Sequence, residues 1–321
     1  MLKITKRIAA AVLCLFLLPL TAQAKELIPV GQVVGLELQS GTVTVQGFDT
    51  QLGTAAQEAG IREGDVLQKI NGTSVRCAED VRQALQKSTG TVTVIYSRDG
   101  KTQSCRITPQ ITAGGPKLGL YLRQGITGIG TVTWYDPETG AFATLGHGVS
   151  GSDGTLVSMT EGSAYRANVI KVKKGVSGAP GQLIGNIADS EPVGALTKNT
   201  ARGVFGKTDK QWEMAPMEVA QTDEIKTGSA TILSTVNGEG VREYSVDILK
   251  LYPKSRQNGR NMLIRVTDEA LLEETGGIVQ GMSGSPIIQD GKLVGAVTHV
   301  LVNDPTTGYG IFIENMLDAA A

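Results

Sequence analysis

Along most of this chain apolar residues alternate with small or polar ones in short runs, and turns rich in Gly and Asp separate the runs. A period of two predicts strands with one buried face. "VGQVVGLELQSGTVTVQGF" reads this way from Val30. "GTVTVIYSRDGKTQSCRIT" reads as a hairpin turning at Asp99-Gly100. "GTVTWYDPETGAFATLGHG" reads as a second hairpin that ends at His147, and "KTGSATILSTV" with "REYSVDILKLY" as a paired set. Helical spacing is confined to "AEDVRQALQKS", with Val81, Ala84 and Leu85 on one side, and to "TDEALLEETGG", which Gly276-Gly277 ends. Many short strands with few helices predict a mostly β protein of sandwich or barrel type.

Composition sharpens that picture. The 321 residues suffice for two domains, 40% are hydrophobic, only 4% are aromatic, and 41 are Gly. This mix fits a turn-rich β protein. The net charge of −1 gives no reason to expect nucleic acid or an anionic surface as partner. Residues 1–24 read as a signal peptide or signal anchor: Lys3, Lys6 and Arg7, an apolar run from Ile8 to about Leu20, then Thr21-Ala22-Gln23-Ala24. The rest of the chain is therefore expected outside the cytoplasm, touching membrane only through that segment. Cys77 and Cys105 could pair in an oxidising compartment, or remain buried free thiols. No His/Cys/carboxylate spacing resembles a zinc site, so no metal or other cofactor is expected.

"AAQEAGIREGDVLQKINGTSV" resembles the bacterial PDZ pattern, and a PDZ domain is expected over 28–110. In that resemblance Val34, Gly35, Leu36 and Leu38 occupy the carboxylate-binding loop. Such a loop holds a peptide C-terminus, or a segment of the chain itself, beside a strand edge. "PQITAGGP" marks a boundary, and a second domain is expected over 117–321.

Gly281-Met282-Ser283-Gly284-Ser285-Pro286 places a serine among glycines before a strand. Such a loop can present a nucleophile and aim its own amides at one point. Histidine is the usual base for a serine hydroxyl, and this chain has only two, His147 and His299. His147 lies between glycines in Thr144-Leu145-Gly146-His147-Gly148. Val176-Ser177-Gly178-Ala179-Pro180 is a second serine–glycine pattern, only 30 residues after His147, and reads as a turn.

The second domain resembles a chymotrypsin-like serine protease around Ser283, which implies a double β-barrel. The chain as a whole resembles the SpoIVB peptidases (peptidase family S55), extracytoplasmic PDZ serine proteases of endospore-forming bacteria. "YDPETGAFATLGHG", "TGGIVQGMSGSPIIQDGKLVGAVTHV" and "NDPTTGYGIFIENML" carry that resemblance. It implies Ser283 as nucleophile, His147 as base, Asp268 as acid, and the amides of Gly281 and Ser283 as oxyanion hole. It also implies cleavage of a membrane-bound regulator's extracytoplasmic part, and of the chain itself, leading to late sigma-factor activation during sporulation between the mother-cell and forespore membranes. Asp268 lies only 15 positions before Ser283. Asp153, Asp189 and Asp247 are alternatives, and an N-cap role for Asp268 is another. His299 either lines the substrate cleft or packs on its strand. A secreted PDZ interaction protein with an inactive protease-like domain is the rival from another class. An esterase is a third reading.

Overall fold

The computed structural model describes residues 25–151, 154–253 and 259–321. The expected signal or anchor segment lies outside these residues, as does Asp153. In chain order the elements begin with β1 (Glu26–Pro29) and β2 (Val33–Phe48). Next come α1 (Thr54–Glu58), β3 (Val66–Ile70), β4 (Thr73–Ser74), α2 (Ala78–Gln86), β5 (Val92–Arg98) and β6 (Lys101–Ile107). A small hairpin of β7 (Gln110–Thr112) and β8 (Gly115–Lys117) leads into β9 (Leu120–Tyr135). β10 (Ala141–Thr144), β11 (Glu161–Lys173), β12 (Gln182–Thr200), β13 (Gly203–Lys207) and β14 (Met217–Glu218) follow. The C-terminal part holds β15 (Gly228–Ser234), β16 (Arg242–Leu251), β17 (Met262–Val266), α3 (Glu269–Thr275), β18 (Pro286–Gln289), β19 (Lys292–Leu301), β20 (Asp304–Phe312) and α4 (Ile313–Ala320).

These strands build two barrels and a PDZ unit, as the mostly β, chymotrypsin-like expectation required. β15, β16, β17, β20, β19 and β18 close one antiparallel barrel. β9, β10, β13, β12, β11 and β2 form a second ring, because β2 pairs with both β11 and β9. Val246, Ile248, Ile264 and Phe312 fill the core of the C-terminal barrel. Leu36, Leu38, Phe142 and Val204 fill that of the N-terminal one. Trp134, Phe205, Ile311 and Met316 make a further core that joins strands of both barrels to α4.

The PDZ unit does not precede the N-terminal barrel. It is inserted between two of its strands. The first half of β2 pairs with β11, from Val34↔Arg166 to Gln39↔Glu161. The second half pairs with β3, as in Val43↔Leu67. β9 follows β2 through both regions, from Phe48↔Leu120 to Val33↔Thr131. The division expected at 110–117 falls on the β7–β8 hairpin, ahead of the strand β9 that runs through both units, and residues 33–39 pair within the barrel. Period-two alternation shows which face of a strand is buried but not which strands flank it, so the sequence reading placed this stretch in the wrong unit.

A register shift marks the passage from barrel to PDZ unit, between Leu38 and Val43. Opposite it stands Gly125, with φ of 72°. A Cβ there would lie 1.9 Å from the carbonyl oxygen of Leu38. Only glycine combines the left-handed backbone with that approach. Cys77 and Cys105 are free thiols, and the β5–β6 turn uses positive φ at both Asp99 and Gly100.

Gly125→Ala is expected to destabilise the fold by at least about 2 kcal/mol in urea melts, because backbone strain and a backbone clash coincide there. Gly60→Ala, at φ of 92° with open space around it, should cost only the backbone term of about 1 kcal/mol.

Candidate active site

Ser283 sits in the loop between α3 and β18. Gly276, in the left-handed conformation, ends α3. The Thr275 hydroxyl then donates to the carbonyls of Leu271 and Gly277, and the Ile278 amide donates to Pro305 O. Two further bonds orient the peptide planes beside the serine. Leu183 N donates to Gln280 O at 2.8 Å, and Ser285 N donates to Met282 O at 2.9 Å. In a trans peptide the N–H points opposite to the C=O. The amides of Gly281 and Ser283 are therefore turned away from these anchors. Among the described residues neither has a protein acceptor, and both residues line one cavity of about 480 Å³. Two fixed, unspent donors beside a serine are the components of an oxyanion hole, each worth roughly 3 kcal/mol to a developing oxyanion.

His147 lines the same cavity. It follows Leu145 and Gly146, both at positive φ, 69° and 67°. A bulky residue at such a φ is strained and persists only where packing dictates it. Here the Leu145 side chain is buried in the N-terminal barrel and fills the space beside Gly130. The two left-handed residues turn the chain out of β10 and carry the imidazole to the cavity. His147 Nδ1 lies 3.0 Å from Gly148 O. A carbonyl can only accept, so Nδ1 carries the proton and Nε2 keeps its lone pair, the tautomer a general base needs. Burial lowers the His147 pKa below its ordinary value, although the bond to Gly148 pulls the other way.

The serine and the histidine share the cavity without a hydrogen bond between them. The Ser283 hydroxyl donates instead to Thr298 O at 2.8 Å. Such bonds often form only once substrate is present. His299 lines the cavity as well. Its ring centroid lies 5.2 Å from that of His147, and its Nδ1 is buried without a partner among the described residues. Burial, then the neighbouring His147 and Arg260, lower its pKa to about 4.

Asp268 is not brought to His147. It is the N-cap of α3: one carboxylate oxygen accepts from Leu271 N at 3.0 Å and the other from Ser245 N at 3.3 Å. Both oxygens are thus engaged in tying α3 to β16. Asp247 and the neighbouring Thr267 line a different cavity, one that shares no residue with that of Ser283. Asp189 faces Arg166 at 3.9 Å on the exposed surface. Ser177 occupies a turn, with its hydroxyl on Asn303 O. An acid that caps a helix and an acid that orients a base look alike in sequence, which is why spacing could not separate the two roles.

The peptide loop expected at Val34, Gly35, Leu36 and Leu38 is also relocated. Strands flank these residues on both sides, so their amides cannot receive a peptide. Leu36 and Leu38 instead help to line the cavity of Ser283 and His147. The PDZ unit has its groove elsewhere, between α2 (Val81, Leu85) and Leu118, Leu120 and Leu122 at the start of β9. There β9 pairs with β2 on one edge only. Gly119, at φ of 67°, turns the chain into the groove, and a Cβ on it would lie 2.2 Å from Leu52 C. The sequence signal was available in Lys117-Leu118-Gly119-Leu120, an apolar Gly-containing loop directly after the Pro- and Gly-rich stretch.

Among the described residues no three His, Cys, Asp or Glu side chains are grouped to hold a metal ion. A family model described as SpoIVB peptidase S55 matches residues 114–317, and a PDZ-domain model matches residues 51–96. A Staphylococcus aureus (strain MRSA252) protein assigned as a zinc metalloprotease is 36% identical over 80 residues, 25% of this chain. The chain spans only 19% of that relative's length. Among solved structures, the Rv3671c protease from M. tuberculosis in its active form is 15% identical, with 61% of this chain and 73% of that one covered and a TM-score of 0.36. The HtrA-type protease AlgW with a decapeptide is 13% identical, with 65% and 54% covered and a TM-score of 0.38.

Two expectations follow from the geometry. Asp268→Asn, which keeps a capping oxygen, should leave kcat/KM near that of the parent. Asp268→Ala should lower stability by about 1 kcal/mol. A loss of about 10⁴-fold in kcat for Asp268→Asn would mark the residue as triad acid instead. The acid limb of kcat/KM should fall below pH 6.5, since burial lowers the His147 pKa from that value. Stability has the same sign: buried neutral rings lose ground as pH drops below 6.5, and for His299 the loss continues to about pH 4. Urea melts across that range check it.

Proposed function

The chain belongs to the SpoIVB peptidase S55 family, whose model covers more than half of it, and from that premise we propose that it is a serine endopeptidase acting outside the cytoplasm. The observation that carries the reading is the pair of oriented, unspent amides at Gly281 and Ser283 beside the Ser283 hydroxyl and a His147 in its basic tautomer. A merely scaffolding domain has no need of that arrangement.

In this reading Ser283 Oγ leaves Thr298 O and attacks a peptide carbonyl. His147 Nε2 takes its proton, and the carbonyl oxygen moves between the two amides. His147 then returns the proton to the leaving amine. Water repeats the sequence on the acyl-enzyme. The substrate is a polypeptide, and the cavity that receives it is lined largely by apolar side chains such as Ile129, Ile278, Val279 and Val300. The α2–β9 groove takes an extended peptide C-terminus by strand addition on the free edge of β9, with Leu118, Leu120 and Leu122 offering apolar contacts. That occupant is a partner's tail or a segment of the chain itself.

The physiological substrate we propose is the extracytoplasmic part of a membrane-bound regulator, together with the chain's own N-terminal region. Its cleavage would trigger late sigma-factor activation during sporulation. Family membership and the basic, then apolar, N-terminal segment support this role and this location.

Wild type and Ser283→Ala, compared on an unfolded protein substrate and on the chain's own N-terminal region, test the activity. Cleavage should vanish in Ser283→Ala and His147→Ala, and labelling by a serine-directed fluorophosphonate should vanish with it. Equal cleavage by wild type and Ser283→Ala would sink the assignment.

A further inference from the structure

The two unspent amides of the Ser283 loop belong to the peptides Gln280–Gly281 and Met282–Ser283. Each peptide is anchored through its carbonyl, Gln280 O by Leu183 N and Met282 O by Ser285 N. A bond at the carbonyl sets the direction of a peptide plane but lets it rock about that bond. The rocking is limited by the plane that follows, through the dihedrals of the residue between them. At Gly281, with φ of 102°, those dihedrals have little preference of their own, because glycine lacks a Cβ. The aim of the Gly281 N–H therefore has to be fixed from outside the loop.

The following planes are Gly281–Met282 and Ser283–Gly284, and both carbonyls are taken by Thr131. Its hydroxyl donates to Gly281 O at 2.8 Å, and its N–H donates to Ser283 O at 2.9 Å. Thr131 is a rigid support. It is fully buried on β9, opposite Val33 of β2, and its carbonyl accepts from Leu145 N. Its β-branched side chain has few rotamers, so the strand dictates where the hydroxyl points. Any residue at this position except proline would supply the N–H. The hydroxyl is what the threonine adds.

We propose that Thr131 is a positioning residue for the oxyanion hole: its hydroxyl holds the Gly281–Met282 peptide and so keeps the N–H of Gly281 aimed into the cavity that Ser283 lines. β9 belongs to the N-terminal barrel and the Ser283 loop to the C-terminal one, so the hole is set by the docking of one barrel on the other. The inference rests on the reading of Ser283 as the nucleophile. An oxyanion exists only once the substrate carbonyl has been attacked, so a misaimed donor lowers kcat and leaves ground-state binding alone.

The experiment compares the parent with Thr131→Val, Thr131→Cys and Thr131→Ser in the full chain. Kinetics are measured on an unfolded protein substrate. Affinity is measured for a peptide boronic acid, whose tetrahedral adduct with a serine sets an oxygen where the oxyanion would sit. Thr131→Val should lower kcat about 10²-fold with little change in KM, the effect expected when a reacting group is misplaced by about 1 Å. Boronate affinity should fall by a similar factor. Thr131→Ser keeps the donor and should stay close to the parent. Thr131→Cys keeps a weak donor, should fall between the two, and carries the test if Thr131→Val does not fold. Thr133→Val removes a buried hydroxyl from the same strand, one without a partner among the described residues, and should leave kcat unchanged. In the Ser283→Ala background, Thr131→Val should not alter the Kd of a peptide taken from the substrate. Parent-like kcat and boronate affinity in both Thr131→Val and Thr131→Cys overturn the proposal while the peptidase reading stands. A weakened peptide Kd that accounts for the whole loss, or an equal loss in Thr133→Val, overturns it as a general loosening of the barrel. A parent as inactive as Ser283→Ala removes the peptidase reading, and the proposal with it.

Discussion

Thr131 fastens the two halves of the site to each other. It lies on β9, fully buried, and each of its polar groups is engaged. Its N–H donates to Ser283 O at 2.9 Å, its hydroxyl donates to Gly281 O at 2.8 Å, and its carbonyl accepts from Leu145 N. The Ser283 loop of one barrel and the His147 turn of the other thus hang on one residue. Leaving any of these groups unpaired in the interior would cost about 1–3 kcal/mol. The same contact explains why Gly284 has no side chain: a Cβ there would lie 2.1 Å from Thr131 O. It also helps to hold Leu145 in its strained conformation, from which His147 projects.

That residue stands on the strand that also forms the PDZ groove. β9 begins at Leu120 and Leu122 beside α2, passes Gly125, contributes Ile126 and Ile129 to the cavity of Ser283 and His147, and reaches the clamp at Thr131. An inserted domain is usually joined to its host by a pair of loops. Here it is joined by two sixteen-residue strands that pair with each other on both sides of a glycine-centred register shift. A peptide added to the edge of β9 would lie on the same hydrogen-bonded ribbon as the Thr131 clamp, and the glycine-dependent joint at Gly125 lies between them.

The sequence made some of this legible because certain local physics leaves a pattern. Gly-Met-Ser-Gly-Ser-Pro requires left-handed turns at Gly281 and Gly284, and both occur. The hairpin ending in His147, the β15–β16 pair and the helix closed by Gly276 were readable from period and turn residues. What escaped were relations that leave no periodic trace. Leu36 and Leu38 alternate as any half-buried strand does, so the sequence could not show that they border the catalytic cavity rather than a PDZ loop. Asp268 at a helix start has the same spacing whatever its carboxylate touches.

Among the described residues the polar groups of the candidate site rest on backbone carbonyls rather than on charges. Ser283 donates to Thr298 O, His147 donates to Gly148 O, and Thr131 donates to Gly281 O. Each donor is satisfied in the resting state, so burial of the site carries no unpaired charge. The groups that the proposed reaction would need are the ones left open: the acceptor Nε2 of His147 for the serine proton, and the donor amides of Gly281 and Ser283 for the oxyanion. In the proposed reaction a proton arriving at His147 would place its positive charge against the Gly148 carbonyl dipole already aimed at it. Fixed dipoles need no reorganisation at that moment, and that economy is the main source of electrostatic catalysis in a dry site. Burial opposes the charge on His147 and lowers its pKa, and among the described residues no carboxylate is hydrogen-bonded to it. The lowered pKa of His147 and its hydrogen bond to a backbone carbonyl thus have one origin, its burial in a cleft lined largely by apolar side chains and peptide groups.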